Sequence, residues 1–214
     1  MQGNITWSHF HEVDLSFNPL GDHGLSLFFN LCFSTDAMWE GLLQNGKLVQ
    51  FPITSVKLKV LTLQDVQMGS KAITSLTDAM QACKLVHLTS LSIGANDFGC
   101  PGMQAILDAI ANEKLQSLSD LLCPLSNIGD LGLSCISAAL SAGFLDNLFS
   151  LDICDVGANS HSINQLARIF EIRYNRIGVN MKICRLKMFG MRPFPGKSVR
   201  DSLSREFIAH VQVS

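Results

Sequence analysis

The sequence predicts an α/β solenoid in which strand-helix units of about 30 residues stack side by side along a chain of 214 residues. Three observations predict it. One apolar pattern recurs four times at a 30-residue period without a gap. Within each unit the first two-fifths alternates with period two, as a strand does, and the rest spaces apolar residues three or four apart, as a helix does. Hydrophobic residues make up 47% of the chain and charged ones 16%, which supplies a shared core and argues against intrinsic disorder.

The pattern is apolar-x-x-apolar-x-apolar-x-x-Asn-x-apolar-Gly, followed by a small residue three on and apolar residues four apart. Leu88, Leu91, Ile93, Asn96, Phe98, Gly99, Gly102, Met103, Ile106 and Ile110 complete it. One period earlier it reads Leu58, Leu61, Leu63, Val66, Met68, Gly69, Ala72, Ile73, Leu76 and Met80. One period later it reads Leu118, Leu121, Cys123, Ser126, Ile128, Gly129, Gly132, Leu133, Ile136 and Leu140. The next gives Leu148, Leu151, Ile153, Val156, Ala158, Asn159, Ser162, Ile163, Leu166 and Phe170. A further unit opens the chain with Phe10, Val13, Leu15, Asn18, Leu20, Gly21, Gly24, Leu25 and Phe28, displaced by 48 residues, so an insertion is expected near 35–52 with Trp39 and Leu42 folding back. A degenerate unit begins at Ile183, Leu186 and Met188, with about five surplus residues near 174–180. Pro101 and Gly143 stand where a helix start and a helix stop belong.

These residues resemble the leucine-rich repeats of the ribonuclease-inhibitor type. The resemblance implies a curved parallel sheet on a concave side and helices on a convex side, in a single domain over 1–214. Its units lie near 10–34, 58–87, 88–117, 118–147 and 148–177, with the degenerate one at 183–214. In that family the asparagine side chain hydrogen-bonds backbone in the turns; Asn18 and Asn96 keep it, whereas Val66, Ser126, Val156 and Met191 do not.

No catalytic residue, cofactor or metal is expected. Residues 190–198 imitate a phosphate-binding loop, but five residues separate Gly190 from Gly196 where four are needed, and Pro193 and Pro195 remove two N–H donors, so a repeat-terminal turn is expected. His9 and His11 lie two apart, with His23 beyond, but no third cysteine or carboxylate stands at metal spacing, and they read as solvated or capping. Cys32, Cys83, Cys123 and Cys135 fall on or beside apolar stripes and read as buried thiols, leaving Cys154 as the candidate reactive one. Some relatives of this type stimulate GTP hydrolysis, yet residues 1–167 contain no arginine to act as a finger.

The cysteines number seven, scattered without CxxC pairs, and no secretory signal opens the chain, so a cytoplasmic protein with free thiols is expected. The longest nearly unbroken apolar stretch, Leu25 to Phe33, is far short of the roughly 20 residues that span a membrane, and no membrane partner is expected. Net charge is -2, but residues 168–214 hold seven arginines and three lysines against three acids, a segment charge of +7 beside -9 for the rest.

Strand alternation places Glu12, Asp14, Ser16, Val60, Thr62, Gln64, Ser90, Ser92, Gly94, Asp120, Leu122, Pro124, Ser150, Asp152, Cys154, Arg185, Lys187 and Phe189 on the face away from the core. The expected function is a non-enzymatic protein-protein interaction scaffold. Its partner-binding face comprises Glu12, Asp14, Thr62, Gln64, Ser90, Ser92, Asp120, Leu122, Asp152, Arg185, Lys187 and Phe189. A basic cluster of Arg185, Lys187, Arg192, Lys197 and Arg200 offers an alternative, docking on an acidic protein or, less favourably, on RNA or another polyanion. The lack of a polar cap before Phe10 also fits a regulatory part of a larger protein or assembly.

Overall fold

A computed structural model describes residues 11–33, 43–44, 47–48, 57–112, 115–177, 185–187 and 212–213. In chain order the elements are β1 (Glu12–Asp14), α1 (Gly21–Phe33), β2 (Leu43–Gln44), β3 (Lys47–Leu48), β4 (Val60–Thr62), α2 (Ser70–Gln81) and β5 (Ser90–Ser92). Then follow α3 (Gly99–Ala111), β6 (Asp120–Leu122), α4 (Gly129–Ala142), β7 (Ser150–Asp152), α5 (Ser160–Ile177), β8 (Arg185–Lys187) and β9 (Gln212–Val213). β1, β4, β5, β6, β7, β8 and β9 form one sheet in that order, every neighbouring pair parallel. This is the strand-helix solenoid that the 30-residue period predicts.

Val13, Leu61, Leu91, Leu121, Leu151, Leu186 and Val213 are register partners from strand to strand, an aliphatic row across the sheet. Leu61, Leu91, Leu121 and Leu151 are wholly buried against the stripes of α2 to α5, among them Leu76, Ile106, Ile136 and Leu166. The strands are short, yet their ladder runs on into the turns: Leu63, Ile93 and Cys123 N–H donate to Ser92, Leu122 and Asp152 carbonyls at 2.7, 2.8 and 2.9 Å.

Two pairs of neighbouring helices, α1 with α2 and α4 with α5, are tied at their ends. Asp22, in the first turn of α1, accepts from Gly69 and Ala72 N–H at 2.8 and 3.1 Å and so caps α2. Asp130 in α4 does the same for the following unit, accepting from Asn159 N–H at 2.9 Å, while the Asn159 carboxamide oxygen caps α5 through His161 and Ser162 N–H. α4 stops at Gly143, whose φ of +89° a side chain would resist. Arg173 of α5 then donates to the Leu140 carbonyl at that helix end and pairs with Asp146.

Among the described residues the Asn96 side chain is the most heavily bonded group. Its Nδ2 lies 2.7 to 3.1 Å from the carbonyls of Leu63, Ile93 and Gly94, and its Oδ1 accepts from Val66 and Met68 N–H at 3.1 and 3.0 Å. One amide therefore serves its own turn and the one before it, which explains how Val66 can occupy an asparagine position. Among the described residues Asn18 donates to the Leu15 and Ser16 carbonyls of its own exposed turn.

Several expectations shift. α3 starts at Gly99, with Pro101 inside its first turn rather than at its first position. The surplus before the degenerate unit goes in part into α5, which runs 18 residues against 14 in α4. Within the 35–52 insertion the described residues form the antiparallel pair β2–β3; Trp39 and Leu42 lie outside the described residues, as do Phe10, His9 and 188–211. Cys32 and Cys123 are buried as expected, but Cys83 is exposed and Cys135 only partly buried. Cys83 follows the C-terminus of α2 in a left-handed turn residue, φ +58°, that turns it off the apolar stripe.

Replacing Asn96 by Ala leaves buried N–H and carbonyl groups of two turns unpaired and should cost on the order of 3 kcal/mol, whereas Asn18→Ala should cost about 1 kcal/mol or less. Urea unfolding midpoints of the two variants check the difference.

Candidate functional site

The sheet face away from the helices begins acidic. Glu12 and Asp14 are exposed on the edge strand β1. Asp14 Oδ1 accepts from Ser16 N–H at 2.9 Å, and hydrogen bonds from the Ser16 hydroxyl and amide hold its carboxyl below the usual carboxylate value. Thr62, Gln64, Ser90, Asp120 and Leu122 are half-buried on the following strands and turns. Gln64 Nε2 donates to Ser92 Oγ at 2.7 Å, a side-chain bridge between neighbouring units, and the Ser119 hydroxyl donates to Asp120 at 2.5 Å.

The middle of the face has little relief. A Cβ placed on Gly94 would lie 2.7 Å from the Pro124 ring, so only glycine fits beside that proline. Alternation holds in β4 and β6, but in β5 and β7 it fails: Ser92, Ser150 and Asp152 are buried, at 4, 2 and 8% exposure, and offer a partner little surface. The register sets Arg185 and Lys187 of β8 beside Ser150 and Asp152, so a basic strand borders an acidic one. Phe189, Arg192, Lys197 and Arg200 lie outside the described residues.

Two side chains missed by strand alternation stand at the rim of this face. Phe17 and Leu125 are 73 and 57% exposed. They occupy one repeat position, just past the strand, together with Asp65, Ala95 and Asp155, and all five have left-handed backbones with φ between 49 and 61°. Phe17, Asp65, Ala95 and Leu125 N–H each donate to the carbonyl of the residue one place earlier in the next unit, at 2.7 to 3.1 Å. The five therefore form a column parallel to the sheet, and three strand steps of about 4.8 Å put Phe17 and Leu125 roughly 14 Å apart. The signal was present in the residue preceding each asparagine position, which reads Phe, Asp, Ala, Leu, Asp down the repeats.

Chemistry of other kinds finds little support among the described residues. They hold no cluster of three or more metal-ligating side chains. His11 Nδ1 lies 3.1 Å from the Lys57 carbonyl and His23 is exposed. Burial pushes the Cys32 thiol up to about 12 and raises Cys123 as well. Cys154 is half-buried, its N–H donating to Asp152 Oδ1 at 3.2 Å. Among the described residues no helix is long and apolar enough to cross a membrane.

Two segments, residues 8–29 and 84–107, match the family described as Leucine Rich repeat. They fall on the β1–α1 and β5–α3 units, and with the parallel sheet and its alternating helices they define the chain as an α/β leucine-rich-repeat solenoid. Such repeats generally mediate protein-protein interaction and are typically non-enzymatic. No curated protein matches the sequence.

The hydrogen bonds on Asp14 and Asp130 set a pH dependence. Asn159 N–H and then the Ser162 hydroxyl lower Asp130, as Ser16 lowers Asp14. A carboxylate whose folded value is depressed contributes stability above its unfolded value and loses it as pH falls through the folded one. The stability gap between the wild type and Asp130→Ala should thus be constant above about pH 5 and shrink below about pH 4, as urea unfolding at stepped pH would read.

Proposed function

We propose that this protein is a non-enzymatic scaffold of the cytoplasm that holds a protein partner on its open sheet face and the adjoining rim. The observation that carries this is the pair Phe17 and Leu125, large apolar side chains left in water at one repeat position, on backbone that bulky residues seldom adopt. Neither contributes to the core, and each suits a shallow apolar anchor of the kind in which interface energy concentrates. Exposed Glu12, Asp14, Asp65 and Asp155 lie around them, so the partner segment is basic and carries two apolar side chains about 14 Å apart.

The ribonuclease-inhibitor type is the finer assignment we favour for the repeats. It is supported by full helices of 12, 13 and 14 residues in three successive units. Docking of the basic end on a polyanion is the weaker alternative, because β8 sets Lys187 beside an aspartate.

Affinity capture from native extract, compared among wild type, Phe17→Ala combined with Leu125→Arg, and Leu131→Arg on α4, tests the assignment. The rim double variant should weaken the captured partner by about 1 to 3 kcal/mol per anchor, tenfold or more in Kd, while Leu131→Arg leaves it unchanged. Loss on Leu131→Arg with retention by the rim variant overturns the proposal.

A further inference from the structure

Outside the proposed interface two thiols stand side by side. Cys100 Sγ and Cys135 Sγ lie 4.0 Å apart, on α3 and α4, and both are partly accessible. The repeat explains why they face each other. Cys100 occupies the position of Asp22 and Asp130, whose carboxylates cross to the next unit, at 2.8 Å from Gly69 N–H and 2.9 Å from Asn159 N–H. Cys135 occupies the position of Ser75, whose hydroxyl meets Ser26 of the preceding helix at 3.0 Å. One position reaches forward, the other reaches back, and between the third and fourth units both are cysteine.

We propose that Cys100 and Cys135 form a hydroperoxide-responsive dithiol site that closes to a disulfide between α3 and α4. The Cys100 thiolate attacks the peroxide O–O bond, forming S–O and releasing hydroxide, which is protonated to water. The Cys135 thiolate then attacks the Cys100 sulfur; the S–S bond forms, the S–O bond breaks, and the second hydroxide leaves as water. The two sulfurs lose two electrons in all, and one hydrogen peroxide is reduced to two waters. Closure brings the sulfurs about 2 Å nearer, from 4.0 Å to a bond length. Burial and the Cys100 thiol raise the Cys135 thiol, which suits it to the resolving step rather than the first attack. Cys32 and Cys123 do not compete, since burial holds them as thiols. The product staples consecutive units across 35 residues, joining α3 to α4 on the helix side of β5 and β6.

The test uses the full chain, reduced and then exposed to hydrogen peroxide, with Cys100→Ser and Cys135→Ser beside it. Trypsin separates Leu85–Lys114, which holds Cys100, from Leu115–Arg168, which holds Cys123, Cys135 and Cys154. The wild type should yield these two peptides linked, as a monomer on a non-reducing gel, and the link should vanish in either variant. Its urea midpoint should rise on oxidation and return with dithiothreitol, while that of Cys135→Ser does not move. Dimedone should trap sulfenic acid on Cys100 about tenfold more in Cys135→Ser, where nothing resolves it. Equal trapping in wild type and Cys135→Ser overturns the site, as does a link that maps to Cys123, Cys154 or Cys83 or joins two chains.

Discussion

The row of Val13, Leu61, Leu91, Leu121, Leu151, Leu186 and Val213 is the constraint from which the rest of the architecture follows. A lone strand and helix cannot bury their apolar faces, so each unit is stable only with a neighbour's leucine beside its own. A slip of one residue would turn the row outward and bring in the alternates, among them Ser90, Asp120 and Ser150, which no apolar core accepts. The register is thereby locked, and any change in unit length must be absorbed elsewhere. The chain does this with the insertion between α1 and β4 and with the added turn of α5, never within a strand.

With the leucines fixed, the turns after the strands must pass the chain to the helices within a few residues while keeping backbone groups paired. Asn96 does so for two units at once. The left-handed residues of the rim are the other half of that solution: their conformation turns the chain, their N–H groups bond the next unit, and their side chains have nowhere to go but outward. What stands there is free of packing demands. Asp65 and Asp155 are the inexpensive choices, whereas Phe17 and Leu125 gain nothing for the fold. This contrast separates function from structure at that position.

The core was legible because it depends on period alone. Every apolar position named in the four gapless units, from Leu58 to Phe170, is buried, and so is Asn96. The face was only partly legible, since exposure there depends on what crosses from the adjoining strand. Ser92 lies under Gln64, and Ser150 and Asp152 sit on a strand paired on both sides, with β6 and with β8. Phe17 and Leu125 escaped because alternation ends with the strand and says nothing about turn residues. β9 escaped for want of length: two residues show no period. Cys83 and Cys135 were assigned to the interior from proximity to apolar stripes, yet a left-handed turn exposes Cys83, and Cys135 packs against the core from a helix flank while staying partly accessible.

A solenoid whose register is set by leucines can vary the chemistry between its helices without altering its shape. At the second position of the helices the chain carries Asp22, Cys100 and Asp130; the carboxylates cap the following helix, and the thiol meets another thiol. At the position facing back it carries Ser75 and Cys135. The backbone is the same in each case, because the aliphatic row and not the lateral contact decides how far apart the units stand. Lateral contacts are therefore where such an array can gain a response to pH or to oxidant, and the rim is where it can gain a partner, each at little cost to the other. The two lie at opposite ends of one short turn: Ala95 stands in the middle of the rim column and Cys100, five residues on, opens the helix contact.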